Sequence, residues 1–128
     1  MTVYVIKLGT DRLENEVLRI GTVRRPPRGV PKADFSSKNW YDTWLPNLSP
    51  SPETVKMAQT AKTDKEWQAF EKKYLAEMAV PENVRILELL AALSNHLDFT
   101  VGCYCESEDR CHRSLLKKLL IDKGAKVG

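Results

Sequence analysis

The sequence predicts a three-layer α/β fold, in which a mostly parallel sheet is flanked by helices and all 128 residues form a single domain, residues 1–128. The order of the periodic segments predicts this class, because it runs strand, strand, helices, strand, helix. The length fits one domain with one sizeable core. Apolar residues make up 42% of the chain and charged residues 29%, which is an ordinary balance for a globular protein.

The first third of the chain contains two predicted strands and a basic loop. β-branched and aromatic residues alternate over residues 3–8 and again over residues 17–23, and each run predicts a strand. Residues 24–32 read RRPPRGVPK, where three prolines and a glycine exclude regular structure and stiffen the loop. A short strand or an ordered aromatic segment is predicted over residues 40–45.

Three helices are predicted between residues 51 and 95, each from its own start signal. Ser51 followed by Pro52 is a good N-cap and first-turn pair, and it opens a short helix that ends near residue 60. Thr63 and Glu66 have the spacing of a capping box, and Pro81 opens the third helix. The second helix carries four large apolar side chains on one face: Trp67, Phe70, Tyr74 and Met78.

The last predicted strand and the last predicted helix enclose every cysteine of the chain. The strand covers residues 98–104, and the helix runs from residue 112 to about residue 120, with Gly124 closing it. Three cysteines cannot form a complete disulfide framework, so free or metal-bound thiols in a reducing cytoplasm are predicted. The absence of a long apolar run predicts no membrane association.

The cysteines have the spacing C-x-C-x5-C-H, which first indicates zinc. Two thiolates on one tetrahedral zinc lie roughly 3.8 Å apart, whereas residues i and i+2 of a regular strand lie roughly 6.5–7 Å apart. Cys103 is therefore predicted to be a small buried core residue that continues the face of Phe99 and Val101. This leaves Cys105, Cys111 and His112 at the turn.

These three residues are the candidate catalytic groups. We expect Cys111 in the first turn of the last helix, behind Asp109 as N-cap, where the helix dipole lowers the pKa of a thiol. The neighbouring acidic side chains oppose this effect. Cys111 or Cys105 is the candidate nucleophile, and His112 is the candidate base. A Cys105–Cys111 disulfide and an inert, buried Cys111 are the alternatives.

Four arginines are the candidate ligands for an anion. Arg24, Arg25 and Arg28 lie on the proline-stiffened loop, and guanidinium groups bind phosphate or carboxylate in a two-pronged manner. Arg113 is predicted to face outward beside the start of the last helix, where backbone N–H groups also favour anions. If the second and last strands run parallel, the basic loop and the cysteine loop meet across one cleft.

The leading hypothesis is a cleft that binds an anionic small molecule or a nucleotide-like group, with thiol chemistry at its floor. The first alternative is a zinc-binding module that uses Cys105, Cys111, His112 and a fourth ligand from elsewhere in the chain. The second and less favoured alternative is a nucleic-acid-binding module that uses the basic loop, although the net charge is only +3. The residues leave open whether the protein is an enzyme, and they indicate neither a particular cofactor nor an oligomeric state.

Four stretches together carry a resemblance to a known family. They read, in order, RRPPRGVPK, WLPNLSPS, WQAFEKKYLAEM and VGCYCESEDRCHRSLLKKLL. As a set they resemble the domain-of-unknown-function 488 family in its YeaO-like branch. The resemblance implies a compact α/β domain in the cytoplasm of a microbe and no established activity. The CHR element, here Cys111, His112 and Arg113, resembles one found in much of the wider family, while YeaO-type members often lack it.

Overall fold

The computed structural model describes residues 1–105 and 111–128, and within them it contains four strands and four α-helices. The strands are β1 (Val3–Lys7), β2 (Arg19–Gly21), β3 (Thr43–Trp44) and β4 (Phe99–Cys103). The helices are α1 (Pro52–Thr60), α2 (Asp64–Met78), α3 (Pro81–Leu93) and α4 (His112–Asp122). None of these helices combines the length and the apolarity that crossing a membrane requires.

The strands form one sheet in the order β1-β4-β2-β3, and every pairing in it is parallel. The predicted α/β class with a mostly parallel sheet is therefore confirmed. β4 lies in the interior of the sheet, with Val101 opposite Val5 of β1 and Ile20 of β2. Since β2 and β4 run parallel, their carboxyl ends lie at the same edge of the sheet. The chain leaves that edge through the basic loop and the cysteine loop.

The predicted helix starts are confirmed. The hydroxyl of Ser51 accepts a hydrogen bond from the backbone N–H of Thr54, and the hydroxyl of Thr63 accepts one from that of Glu66. Pro81 stands in the first turn of α3. The predicted face of α2 is buried, and it packs into the main apolar cluster. The buried residues of this face of α2 are Trp67, Phe70, Tyr74 and Met78.

The two faces of the sheet are covered differently. All four α-helices contribute to the apolar cluster that holds Ile20, Phe99 and Val101. Side chains alternate along a strand, so Arg19 and Gly21 point to the other face. There Gly21 lies against the ring of Tyr41, and a Cβ at this glycine would collide with that ring. Irregular segments, rather than α-helices, therefore cover this second face.

A buried arginine organises the second face. Arg19 is fully buried and donates from Nε and Nη2 to the carboxylate of Glu16, at 2.7 and 3.0 Å. Nη1 donates to the backbone carbonyls of Thr10 and Asn39, and Nη2 also donates to that of Asp11. A planar guanidinium presents five N–H donors in fixed directions. The side chain therefore ties two irregular segments to β2.

Candidate functional site

A cleft of about 1140 Å³ lies beyond the carboxyl ends of β2 and β4. The basic loop forms one side of it, and the end of β4 with the start of α4 forms the other. The two loops therefore meet across one cleft, as the sequence predicts. The cleft is lined by six of the seven predicted site residues, and by Cys103 in addition. These six are Arg24, Arg25, Arg28, Cys105, Cys111 and His112.

The three arginines of the basic loop have different surroundings. Arg24 is half-buried and donates from Nε to the carbonyl of Pro50 at 3.0 Å and from Nη2 to that of Ser49 at 3.2 Å. These bonds fix the loop against the turn before α1, so much of the Arg24 guanidinium is already engaged. Arg25 and Arg28 are exposed at the rim of the cleft. They are the arginines that present their charge to a ligand.

Aromatic contacts join the basic loop to the cysteine loop. The phenol of Tyr104 donates to the backbone carbonyl of Arg25 at 2.9 Å. The ring of Tyr104 also packs edge-on against Trp40, with 5.8 Å between the ring centroids. Tyr104 directly follows Cys103, the last residue of β4. The basic loop is therefore held at a fixed place relative to the thiols.

The buried thiols of Cys103 and Cys111 are in direct contact. Their Sγ atoms lie 2.7 Å apart, and each residue is 1% exposed. Cys103 is buried as predicted, but its assignment to the core face of Phe99 and Val101 is incomplete. β4 ends at Cys103, so its side chain packs in a second cluster with Cys111 and Tyr41 instead of in the helix-covered core. The strand spacing that separates Cys103 from Cys105 does not concern Cys111, so the contact between Cys103 and Cys111 was not predicted.

His112 completes the cluster and has a fixed orientation. It is 7% exposed, and its Nε2 lies 2.9 Å from the backbone carbonyl oxygen of Thr22. A carbonyl oxygen only accepts, so Nε2 carries a proton, and Nδ1 is the ring nitrogen that faces Cys111. Nδ1 lies 3.7 Å from Sγ of Cys111. The ring of Tyr74 packs against the imidazole at 5.6 Å between centroids, which limits its rotation.

The surroundings distinguish the three thiols. Hydrogen bonds from the thiols of Cys103 and Cys105 hold the pKa of Cys111 far below its usual value against the effect of burial, and His112 adds to the lowering. Burial raises the pKa of Cys103 well above its usual value. A hydrogen bond from Cys103 lowers the pKa of Cys105, but the hydrogen bond to Cys111 and burial together raise it to about 11. Of the three thiols, Cys111 is therefore the one whose pKa is lowered by its neighbours.

Cys111 is the N-cap of α4, whereas the sequence places it in the first helical turn. Its backbone is extended, with φ −137° and ψ 152°, and its side chain makes no capping hydrogen bond. The predicted N-cap, Asp109, lies outside the described residues. The N-cap is two residues later than predicted, and the thiol stays at the positive end of the helix dipole, where a thiolate is favoured.

The prediction that Arg113 faces outward is wrong. Its side chain is buried, with 6% of the residue exposed, and Nη2 donates to the backbone carbonyl of Cys105 at 2.9 Å. Among residues 1–105 and 111–128, Nε of Arg113 finds no hydrogen-bond partner. Arg113 does not line the described part of the cleft, so its role as an anion ligand stays a prediction. Its observed contact fixes the chain at Cys105, and its charge lowers the pKa of that thiol.

A metal ion has a candidate ligand set that differs from the predicted one. The ligand atoms of Cys103, Cys111 and His112 lie within 4.8 Å of one another. The predicted zinc set contained Cys105 in place of Cys103. Two sulfurs on one tetrahedral zinc lie roughly 3.8 Å apart, whereas these two lie 2.7 Å apart. The spacing fits two sulfurs that interact with each other better than two ligands of one ion. Metal analysis of the purified protein tests the alternative.

Thr22 and Tyr74 belong to the site but were not predicted as parts of it. Thr22 contributes only its backbone carbonyl, which leaves no mark in a residue pattern. Tyr74 was correctly predicted to lie on the buried face of α2, and its position beside the imidazole depends on how α2 and α4 pack. Position in sequence gave a signal only for Thr22, since it directly follows β2 at the carboxyl edge of the sheet.

Fold and site together define an α/β protein with a Cys/His cluster at the carboxyl edge of a parallel sheet. A family model described as the Active DUF488-N3 subclade matches residues 3–124. The chain therefore belongs to the domain-of-unknown-function 488 family, as its four stretches predict. The YeaO-like branch stays a prediction. No curated protein and no solved structure matches the chain.

Proposed function

We propose that the protein is a thiol-dependent enzyme that acts on a small anionic substrate bound in the cleft. Cys111 is the nucleophile, His112 is its base, and Arg25 and Arg28 attract the anion. One observation carries the proposal: a single cleft is lined both by exposed arginines and by a cysteine–histidine pair. The match to a subclade described as active agrees with a catalytic role.

The arrangement around Cys111 supports the role of nucleophile. An activated nucleophile needs a base within reach, and the base needs a third group that orients it. Nδ1 of His112 lies 3.7 Å from the thiol, and the carbonyl of Thr22 holds the opposite ring nitrogen at 2.9 Å. A distance of this length shortens when a substrate is bound in many enzymes. The dipole of α4 stabilises the thiolate further.

The cleft supports an anionic substrate of small size. Ligand pockets commonly have volumes of about 300–1,000 Å³, and the cleft has about 1140 Å³. Two exposed guanidinium groups stand at its rim, and residues 24–32 contain no acidic side chain. Apolar walls, formed in part by Pro26, Trp40 and Phe70, can hold a flat organic group. The nucleic-acid-binding alternative stays a prediction. It requires that the affinity of the protein for nucleic acid falls steeply as the salt concentration rises.

Charge-matched alkylating reagents test this proposal. Iodoacetate is anionic and iodoacetamide is neutral, so the ratio of their rates at Cys111 measures attraction of the anion, independently of the thiol's own reactivity. In the double variant Arg25→Gln/Arg28→Gln, we expect this ratio to fall about tenfold at low salt. Arg85→Gln is the matched control, because Arg85 is an exposed arginine on α3 that lies outside the cleft lining.

Peptide mapping by mass spectrometry assigns each adduct to its cysteine. The proposal requires Cys111 to be the first thiol modified, and it requires the rate ratio of Arg85→Gln to equal that of the natural protein. An unreactive Cys111 would end the role of nucleophile. An unchanged ratio in the double variant would end the role of the basic loop.

A further inference from the structure

Cys103 has no role in the proposed mechanism, although it touches the nucleophile. Its Sγ lies 2.7 Å from that of Cys111, only about 0.65 Å more than the length of a disulfide bond. A cysteine nucleophile that forms an ester or an amide intermediate needs a base but no second thiol. A second thiol in contact has a direct role where the covalent intermediate is itself a disulfide, since a thiolate resolves such an intermediate.

We propose that the reaction in this cleft is thiol–disulfide exchange, in which Cys111 and Cys103 together reduce a small anionic disulfide. The inference rests on the proposed function, because it uses the same nucleophile and the same cleft. It adds the reaction, the substrate class and a role for Cys103, which resolves the intermediate.

In the first step, the thiolate of Cys111 attacks one sulfur of the substrate disulfide. A bond forms between Sγ of Cys111 and that sulfur, the sulfur–sulfur bond of the substrate breaks, and the other half leaves as a thiolate that takes up a proton from water. Attack needs a thiolate that the substrate can reach. Cys111 lines the cleft beside the start of α4, which satisfies this requirement.

In the second step, Cys103 resolves the mixed disulfide. His112 takes the proton of the Cys103 thiol through one water molecule, because the ligand atoms of these residues lie within 4.8 Å of each other. The Cys103 thiolate then attacks Sγ of Cys111, and the second half of the substrate leaves and takes the proton from His112. Two electrons pass from the two thiols to the substrate, and a Cys103–Cys111 disulfide is left. A low-molecular-weight thiol in the surrounding solution reduces this disulfide and restores the cluster.

Distance and burial favour Cys103 over Cys105 as the resolving thiol. The Sγ atom of Cys103 lies 2.7 Å from that of Cys111, so Cys103 is already in place to attack a mixed disulfide formed on Cys111. Cys105 is only half-buried, and Arg113 fixes its backbone through the carbonyl. Cys105 donates a hydrogen bond to Cys111, and serine keeps a hydroxyl donor at this position while it removes the third thiol. Cys105→Ser therefore serves as the background in which the pair of Cys103 and Cys111 is tested, and its alkylation rate at Cys111 is first compared with that of the natural protein.

The test uses 5,5′-dithiobis(2-nitrobenzoate), an anionic disulfide that releases a coloured thiolate. Reduced Cys105→Ser protein, kept in chelator, is expected to release two thiolates per chain and to end with a mass lower by two hydrogens. Cys103→Ser/Cys105→Ser is expected to release one thiolate and to retain the reagent on Cys111. Cys103→Ala in the same background repeats the measurement with a second side chain, in case serine disturbs the buried site. Circular dichroism checks the fold of each variant.

The outcomes separate the two proposals. If Cys105→Ser keeps the reagent on Cys111 and forms no internal disulfide, thiol–disulfide exchange is overturned while the nucleophile stands. If Cys111 forms no adduct in any variant, the proposed function itself fails. The anionic preference is tested with oxidised glutathione and cystamine, two aliphatic disulfides of opposite charge. We expect oxidised glutathione to react about tenfold faster at low salt, and equal rates would overturn the substrate class.

Discussion

At the scale of single residues, the neighbours of each thiol decide its chemistry. Cys105 is the most exposed of the three, yet the groups around it raise its pKa to about 11. Cys111 is buried, yet neighbouring thiols and His112 hold its pKa far below the usual value. In a buried group of three thiols, one negative charge is stabilised by the other two S–H groups. A second thiolate in the group would be repelled by the first one. Reactivity at neutral pH should therefore follow thiolate character and not exposure.

Two substitutions of His112 separate its action on Cys111 from its role in packing. Glutamine can keep a donor near the position of Nε2 and hold the bond to the Thr22 carbonyl, but it has no group in place of Nδ1. Asparagine places its amide near Nδ1 and gives up that bond. We expect His112→Gln to raise the midpoint of the pH profile for alkylation of Cys111 by about one pH unit or more, because the thiolate loses a stabilising neighbour.

The pH dependence of the iodoacetamide rate, followed at Cys111 by peptide mapping, measures this midpoint. His112→Asn is the comparison, and its midpoint should lie between those of the natural protein and of His112→Gln. Identical profiles for all three proteins would show that His112 only packs beside the thiol.

The thiol cluster could be located from the sequence, but its membership could not. Spacing placed Cys105, Cys111 and His112 close together, and all three line one cleft. Cys103 was assigned to the core because regular strand geometry separates residues i and i+2. β4 ends at Cys103, so this geometry does not hold between Cys103 and Cys105. The outward direction of Arg113 came from helical periodicity alone. Periodicity does not include the backbone carbonyl of Cys105, which accepts a hydrogen bond from Arg113.

At the scale of elements, β2 depends on a polar network and not on apolar packing alone. One face of this strand is held by the core, and the other is held by Arg19 with five hydrogen bonds. Both partners of its ion pair, Arg19 and Glu16, have fully buried side chains. Removing one partner of a buried pair leaves the other charge buried without a partner. The resulting loss of folding stability is commonly larger than the net contribution of the pair itself.

Arg19→Met is expected to destabilise the fold by about 3 kcal/mol, since the Glu16 carboxylate loses its partner inside the protein. Adding Glu16→Gln to this variant removes the carboxylate charge that Arg19→Met leaves without a partner. The double variant should therefore be more stable than the sum of the two single effects implies. Urea unfolding at neutral pH of the natural protein and the three variants gives the coupling energy. Additive effects would show that the network acts through shape and not through charge.

At the scale of the whole molecule, the parallel order of the strands brings distant segments together at one edge. This part of the fold could be predicted, since strand and helix periodicities and helix caps act locally, and parallel strands share an edge. The cover of the second face could not be predicted. Arg12 and Glu16 occupy a polar stretch that is typical of a solvated turn, and Arg19 is a charged residue in a predicted strand. The partners of the two arginines, Asn39 and Asp42, follow twenty or more positions later, and only the complete fold pairs them.

The carboxylate of Asp42 accepts hydrogen bonds from several of these segments, and this makes the stability of the fold sensitive to acid in a predictable way. Its carboxylate accepts two hydrogen bonds from Arg12, at 2.8 Å each, one from the Ser36 hydroxyl and one from the backbone N–H of Arg19 at 2.8 Å. The hydrogen bonds from Arg12 hold the pKa of Asp42 far below its usual value, with smaller help from Ser36 and Arg19 and against partial burial. The ionised form thus stabilises the folded state.

The sign of the pH effect follows from that lowered pKa. In the unfolded chain an aspartate has a pKa of about 3.9, so the stabilisation is complete above that pH and is lost as the pH falls towards the folded-state pKa. Asp42→Asn lacks the charge at every pH. We expect the variant to be less stable than the natural protein by roughly 1–2 kcal/mol at pH 7. The difference should become smaller as the pH falls below about 4.

Asp34→Asn is the matched control, because that carboxylate lies at the surface, 3.9 Å from Lys38, and surface pairs contribute little. Urea unfolding of all three proteins at neutral and acid pH measures both differences. A gap for Asp42→Asn that stays constant with pH would mean that shape and hydrogen bonding at this position stabilise the fold, and that the charge of Asp42 does not.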